Sequence, residues 1–355
     1  MITVKTTSLI LPWLIETMTD LEEAFRRLHP LAVPDLQARL RKHEEALQAS
    51  LQELSAQNST TLDDYTRKAL EHAFSLILNS IRVFGTGSDL TETFMSVLRA
   101  MRKHCQAQET LFEIRHGIPE IDRYFIEQGV QPGSLQGESP HTCIIHSGTD
   151  ENPYAHGGYS LFVPESYRAG TACPLVIALH GGYGHGRDYL WTWLREARTR
   201  GFILLSPSSI GRTWSIGSIS TDADQLLKHL ESIRSRYTID KDRILLTGMS
   251  DGGTFALGFG LRSDCPVRAL APVSCVLPPV DLAGAKDKRI YWVHGEQDWM
   301  FPIGRAVKAC RELSGGGAEV RLKIVPDLSH AYPREENGAI LAWFDPSVAV
   351  QKTDA

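Results

Sequence analysis

From "PLVIALH" (Pro174 to His180) onward, short β-rich apolar runs alternate with segments of helical period. No other feature of the chain restricts its fold as strongly. The runs are "PLVIALH", "FILLSP", "RILLTG", "RALAPVS", "RIYWVHG" and "VRLKIVP", and helical candidates lie near 188–199, 222–237, 253–262, 304–313 and 335–344. Strands joined through helices pair in parallel, and the helices cover both faces of the sheet. Two earlier runs, "TCIIHS" and "GYSLFVP", have no helix between them and predict an antiparallel edge. In such a sheet, functional side chains gather at the carboxyl ends of the strands.

The first 138 residues follow a different pattern, with no glycine before Gly85. "LQARLRKHEEALQASLQEL" (Leu36 to Leu54) and "TLDDYTRKALEHAFSLILNSIRVF" (Thr61 to Phe84) repeat apolar residues at three- and four-residue spacing. The second opens on Thr, Asp63 and Asp64, which suits the positive end of a helix. Two more helices are predicted over 89–107 and 109–128. Gly, Pro and Ser then cluster in "QGVQPGSLQGESP" (Gln128 to Pro140), which places the break there. The expected organisation is an all-α domain over 1–138 and an α/β domain, mostly parallel, over 139–350. The helices could form a lid, mediate homo-oligomer contacts or bind a partner, and their residues do not choose.

The net charge of -5 supports neither a nucleic-acid nor an anionic-membrane partner, since both favour a basic patch. The six cysteines, Cys105, Cys143, Cys173, Cys265, Cys275 and Cys310, include no C-x-x-C pair, so they read as reduced and mostly buried thiols rather than a metal site or a disulfide framework. No apolar run reaches the ~18 residues of a membrane span. "MITVKTTSLILPWLIETMTD" is interrupted by Pro12 and lacks a small-residue cleavage site, which disfavours a secretory signal and makes the cytoplasm the expected compartment.

Within this frame, "ILLTGMSDGGTFALG" (Ile244 to Gly258) sets Ser250 between glycines where a buried strand turns into a helix. Such a reversal strains its apex residue and leaves no room for side chains beside it, and the hydroxyl is exposed above the sheet near a helix N-terminus. A serine nucleophile needs a base, and the base an orienting acid. Asp298 follows the strand "RIYWVHG", and His330 follows "VRLKIVP". The order Ser, Asp, His, each just past a successive strand, is that of α/β-hydrolases. Asp327, Asp251 and His294 are rivals, but neither acid follows the preceding strand as Asp298 does, and His294 precedes the acid and closes a strand end. "LHGGYGHG" supplies a turn whose Gly182 amide, with the Asp251 amide, would bind an oxyanion. Its glycines do not fit the G-x-G-x-x-G of a dinucleotide loop.

On "LHGGYGHGRD", "GMSDGG", "VHGEQDWMFP" and "SHAYPREENGAILAWF", the C-terminal part resembles an α/β-hydrolase of the phospholipase/carboxylesterase type, a group with acyl-protein thioesterase-like members. It is also similar to polyhydroxybutyrate depolymerase and feruloyl esterase-like proteins. The resemblance implies a serine carboxylesterase that needs no cofactor or metal and hydrolyses a small-molecule ester through Ser250, His330 and Asp298, with Gly182 and Asp251 as oxyanion donors. A peptidase or an acyltransferase could use the same three residues, and a helical partner-binding protein with an idle hydrolase scaffold is the third reading. Tyr183, Trp214, Trp299 and Tyr332 are candidate pocket walls. The connection "CVLPPVDLAGAKDK" is too short for the cap that many relatives carry at that point.

Overall fold

The computed structural model describes residues 3–56, 62–129, 144–147 and 152–348. It divides into two compact units, Met1–Phe125 and Ile126–Ala355. The division precedes the glycine- and proline-rich stretch at which the sequence places it. The physical reason is local: Glu127 already belongs to the second unit, its amide donating to Thr199 Oγ1 and its carboxylate paired with Arg200. The expected boundary at 138/139 and Cys143 lie outside the described residues.

The first unit is built of α1 (Thr3–Arg26), α2 (Val33–Arg41), α3 (Glu44–Ala56), α4 (Asp64–Val83), α5 (Leu90–Ile114) and α6 (Pro119–Tyr124). Its periodic apolar residues, among them Leu14, Met18, Leu70, Phe74, Ile77 and Ile81, are fully buried. Asp63 caps α4 by accepting from the Thr66 amide, and Asp89 caps α5 by accepting from Glu92. Three expectations change. The periodic run 36–54 is two helices, because the chain bends at Lys42 and buries His43, whose Nε2 bonds Asp20 at 2.8 Å. The helices expected over 89–107 and 109–128 are joined, since no breaker lies near Gln108, and α5 ends only ahead of Gly117 and Pro119. The N-terminal apolar stretch, with Pro12, lies within a 24-residue helix. No helix among the described residues is long and apolar enough to cross a membrane.

The second unit runs β1 (Ile144–His146), β2 (Tyr159–Phe162), β3 (Cys173–Leu179), α7 (Gly186–Tyr189), α8 (Leu194–Arg200), β4 (Ile203–Pro207), α9 (Ser220–Arg234), β5 (Ile239–Met249), α10 (Asp251–Gly260), β6 (Ala269–Val273), β7 (Arg289–Gly295), α11 (Ile303–Gly315), β8 (Glu319–Val325) and α12 (Asn337–Phe344). All eight strands form one sheet in the order β1-β2-β4-β3-β5-β6-β7-β8. The pair β1–β2 is antiparallel, as the missing helix between the first two runs predicts, β2–β4 is antiparallel as well, and every later pair is parallel. The helix expected over 188–199 is split into α7, a 3-10 turn at Leu190–Thr192 and α8.

The central strand β5 has Leu246 beside Ile177 of β3 and Leu270 of β6, all three without solvent exposure. Core residues here carry both stability and the aim of whatever follows the strand. Leu246→Ala should lower unfolding free energy by ~3 kcal/mol, from lost transfer energy and an unfilled cavity. Urea denaturation followed by tryptophan fluorescence checks this.

Candidate active site

Ser250 stands between β5 and α10 with φ 55° and ψ −120°, in the left-handed half of backbone space that L-residues avoid. What forces it there is the shortness of the reversal. A Cβ on Gly248 would lie 2.6 Å from the backbone of Gly252, and one on Gly252 would lie 2.4 Å from His180 O. A Cβ on Gly253 would meet the side chain of Cys275 at 2.9 Å. The glycines around Ser250 are thus required by close backbone approach, as the sequence argument anticipates. The Ser250 amide donates to Val273 O, which ties the apex to the neighbouring strand.

Three side chains from three strand ends meet at this point. His330 Nε2 lies 3.0 Å from Ser250 Oγ, and His330 Nδ1 lies 2.9 Å and 3.1 Å from the two oxygens of Asp298. All three residues are buried to within a tenth of their surface. A carboxylate can only accept, so Nδ1 carries the proton and Nε2 is left to accept from the serine hydroxyl. Asp298 is itself fixed, since its Oδ1 accepts from the Met300 and Phe301 amides at 3.0 Å and 2.7 Å. The Phe301 ring packs edge-on against the imidazole at 5.2 Å.

The rivals fall elsewhere. Asp327 lies exposed on the loop that carries His330, whereas the carboxylate on Nδ1 is that of Asp298. His294 is fully buried beneath the acid loop, where Nε2–H donates to Phe301 O at 2.7 Å and Nδ1 faces Trp292 Nε1. Burial holds its basicity below that of a free imidazole.

The turn after β3 lies against the apex. A Cβ on Gly181 would approach Ser250 Cβ to 3.7 Å, and one on Gly182 would approach Asp251 Oδ2 to 2.8 Å. Among the described residues neither the Gly182 amide nor the Asp251 amide donates to a protein acceptor, whereas the next amide along, of Tyr183, donates to Arg212 O at 2.9 Å. Two unclaimed N–H groups beside a buried serine hydroxyl can receive negative charge that develops on a bound carbonyl oxygen.

His180 anchors that turn in a way that sequence reasoning missed. Its Nδ1–H donates to Gly181 O at 2.7 Å, and its Nε2 accepts from the Ser209 amide at 3.1 Å. Acceptance at Nε2 requires the neutral ring, and burial holds its pKa down to about 4. The signal available in the sequence was a histidine ahead of two glycines, read only for its backbone. Thr213 was also missed: its Oγ1–H donates to Asp251 Oδ2 at 2.5 Å.

The four expected pocket walls separate into two kinds. Tyr183, at φ 60°, and Trp299 are about half exposed beside the turn and the acid. Trp214 instead turns inward, only 3% exposed, stacked on Phe255 and donating its Nε1–H to His180 O at 2.7 Å. Tyr332 is held by Asn337, to which its hydroxyl donates, and its ring lies edge-on to Tyr189 and Trp193. These two are packing residues because their polar tips are claimed by protein partners. The free thiols Cys173, Cys275 and Cys310 are buried and their ionisation suppressed, Cys310 being pushed up to about 12, so none of the three is a ready nucleophile.

Residues 215–345 match the family described as Phospholipase/Carboxylesterase, a span holding Ser250, Asp298 and His330. Among solved structures the chain is similar to a thermostable esterase, with 21% identity, a TM-score of 0.41, and 53% of this chain and 58% of that one covered. An acylaminoacyl peptidase from Pyrococcus horikoshii matches at 16% identity and a TM-score of 0.46, over 56% of this chain and 40% of that one. SOBER1 from Arabidopsis thaliana matches at 17% and 0.42, over 49% of this chain and 99% of that one.

The neutral His180 gives a pH signature. Its folded pKa of about 4 lies below the ordinary value of 6.5, so the unfolded chain binds its proton first. The stability it lends is complete above pH 6.5 and is lost as pH falls towards 4, by up to ~3 kcal/mol. The difference in unfolding free energy between wild type and His180→Gln, followed from pH 7.5 to 4, should shrink over that window. Gly252→Ala, whose added carbon meets backbone oxygens, should abolish activity and the cooperative thermal transition together, as differential scanning calorimetry would report.

Proposed function

We propose that the second unit is an α/β-hydrolase of the phospholipase/carboxylesterase type, a reading that the match over residues 215–345 supports, and that the protein is a serine carboxylesterase working through Ser250, His330 and Asp298. The observation that carries this reading is the continuous relay from Asp298 through His330 to the Ser250 hydroxyl, at 2.9 Å and 3.0 Å. His330 Nε2 takes the Ser250 proton as Oγ bonds to the ester carbonyl carbon, and the carbonyl π pair moves onto oxygen. The Gly182 and Asp251 amides hold that oxyanion. On collapse the C–O bond to the alcohol breaks, and the leaving alkoxide takes the proton from His330. Water enters, gives a proton to the same nitrogen and displaces the acyl group from Oγ, so the acid leaves and Ser250 recovers its proton. Asp298 keeps the imidazole in the Nδ1–H tautomer and stabilises its charged form.

Esters of short to medium aliphatic acids or of aromatic acids are the proposed substrates, with Tyr183 and Trp299 as apolar contacts at the mouth. Cys173, Cys265, Cys275 and Cys310 are free thiols, which suits the cytoplasm as the proposed compartment.

A fluorophosphonate probe should label wild type and not Ser250→Ala; label retained in the variant would remove Ser250 from this role. With short nitrophenyl esters, Asp298→Asn should lower kcat by roughly 10⁴-fold through the wrong histidine tautomer. Measurable peptide cleavage without ester hydrolysis would instead favour a peptidase.

A further inference from the structure

The mechanism uses the Asp251 amide and leaves its carboxylate without a task. An anionic side chain beside an oxyanion donor is electrostatically adverse to the charge developing there. Its usefulness must therefore be geometric. Oδ2 accepts from Thr213 Oγ1–H at 2.5 Å, and it sits so close to the turn after β3 that a Cβ on Gly182 would lie 2.8 Å from it. The same added Cβ would lie 3.7 Å from Thr213 Oγ1. Hydroxyl, carboxylate and turn are thus in one contact set.

The residues flanking Thr213 grip the same turn. Arg212 O accepts from the Tyr183 amide at 2.9 Å, and Trp214 Nε1–H donates to His180 O at 2.7 Å. The segment after β4 is therefore stitched to both ends of the turn, and Thr213 adds a stitch to the first residue of α10. The two amides assigned to the oxyanion lie on different segments, the turn and α10, so their separation depends on how these are braced. We infer that Thr213 is a positioning residue, which through the Asp251 carboxylate sets the spacing of the Gly182 and Asp251 amides. This rests on the serine esterase reading above.

The test uses the full chain with Thr213→Val and Thr213→Ser. Three readouts are needed: kcat and KM on a nitrophenyl ester, the inhibition constant of a trifluoromethyl ketone that forms an anionic adduct on a serine, and the thermal midpoint. Thr213→Val should lose ~10- to 100-fold in kcat and weaken the ketone by the same factor, with KM changed less than about threefold. Thr213→Ser, which keeps the hydroxyl, should restore both. Thr213→Val that matches wild type overturns the inference, and so does a loss in kcat without weaker ketone binding or without rescue by serine. If the valine variant fails to fold, Thr213→Ala, which only removes atoms, is read by the same criteria. Wild type that takes no fluorophosphonate label at Ser250 overturns the esterase reading and this inference with it, whereas labelled wild type beside an unaltered Thr213→Val overturns this inference alone.

Discussion

The reversal at Ser250 is the constraint around which the second unit is arranged. A non-glycine residue at φ 55° costs of order 1–3 kcal/mol and persists only where its surroundings leave no alternative. Here the surroundings are β5, paired on both sides in the middle of the sheet, and α10, whose Phe255, Leu257 and Phe259 are wholly buried. The strand and helix are each fixed by packing, and the chain between them has one residue in which to turn. Because Gly252 packs on the carbonyls of Leu179 and His180, the same constraint brings the turn after β3 to the serine. Ser250 and the two unclaimed amides are thus brought together by one packing decision.

Three histidines near the strand ends show how environment separates roles that residue type does not. His180 and His294 each have a protein acceptor on one nitrogen and face a donor on the other, and burial favours their neutral forms. Each is saturated and holds a loop in place. His330 alone has a carboxylate on Nδ1 and a hydroxyl on Nε2, an arrangement that can accept a proton and stabilise the resulting charge. The distinction lies in which partner each nitrogen meets.

Much of this was legible in the sequence because it depends on local rules. Strand and helix alternation gave the parallel sheet, the missing helix between "TCIIHS" and "GYSLFVP" gave the antiparallel edge, and strand-end placement singled out Ser250, Asp298 and His330. The helical unit was less legible: periodicity cannot show that Lys42 and His43 bend the chain, because the cause is Asp20, distant in sequence. The orientation of Trp214 and Tyr332 is illegible for a related reason. Both sit in loops on the functional side, but each has a polar tip claimed by a distant partner, His180 O for one and Asn337 for the other. Nothing in a loop sequence reveals which way an aromatic ring turns.

That inward turn bears on how such a site could discriminate. The connection between β6 and β7, where a cap would be inserted, holds only a 3-10 turn at Leu282–Ala285. Trp214 is fully used in packing, so the large apolar groups left near the mouth are Tyr183 after β3, with Trp299 and Met300 after β7, all substantially exposed. These two loops flank Ser250 on either side of β5 and are pinned by backbone bonds, Tyr183 through Arg212 O and Met300 through Asp298 Oδ1. Pinned backbones with free side chains make rigid positions bearing adjustable contacts. Exchanging an aromatic ring there alters what rests against the mouth without disturbing the relay, whereas any change at Gly248, Gly252 or Asp298 reaches the relay itself. Exposed side chains and members of the relay are thus adjacent residues of the same loops, separated by which of them the packing holds.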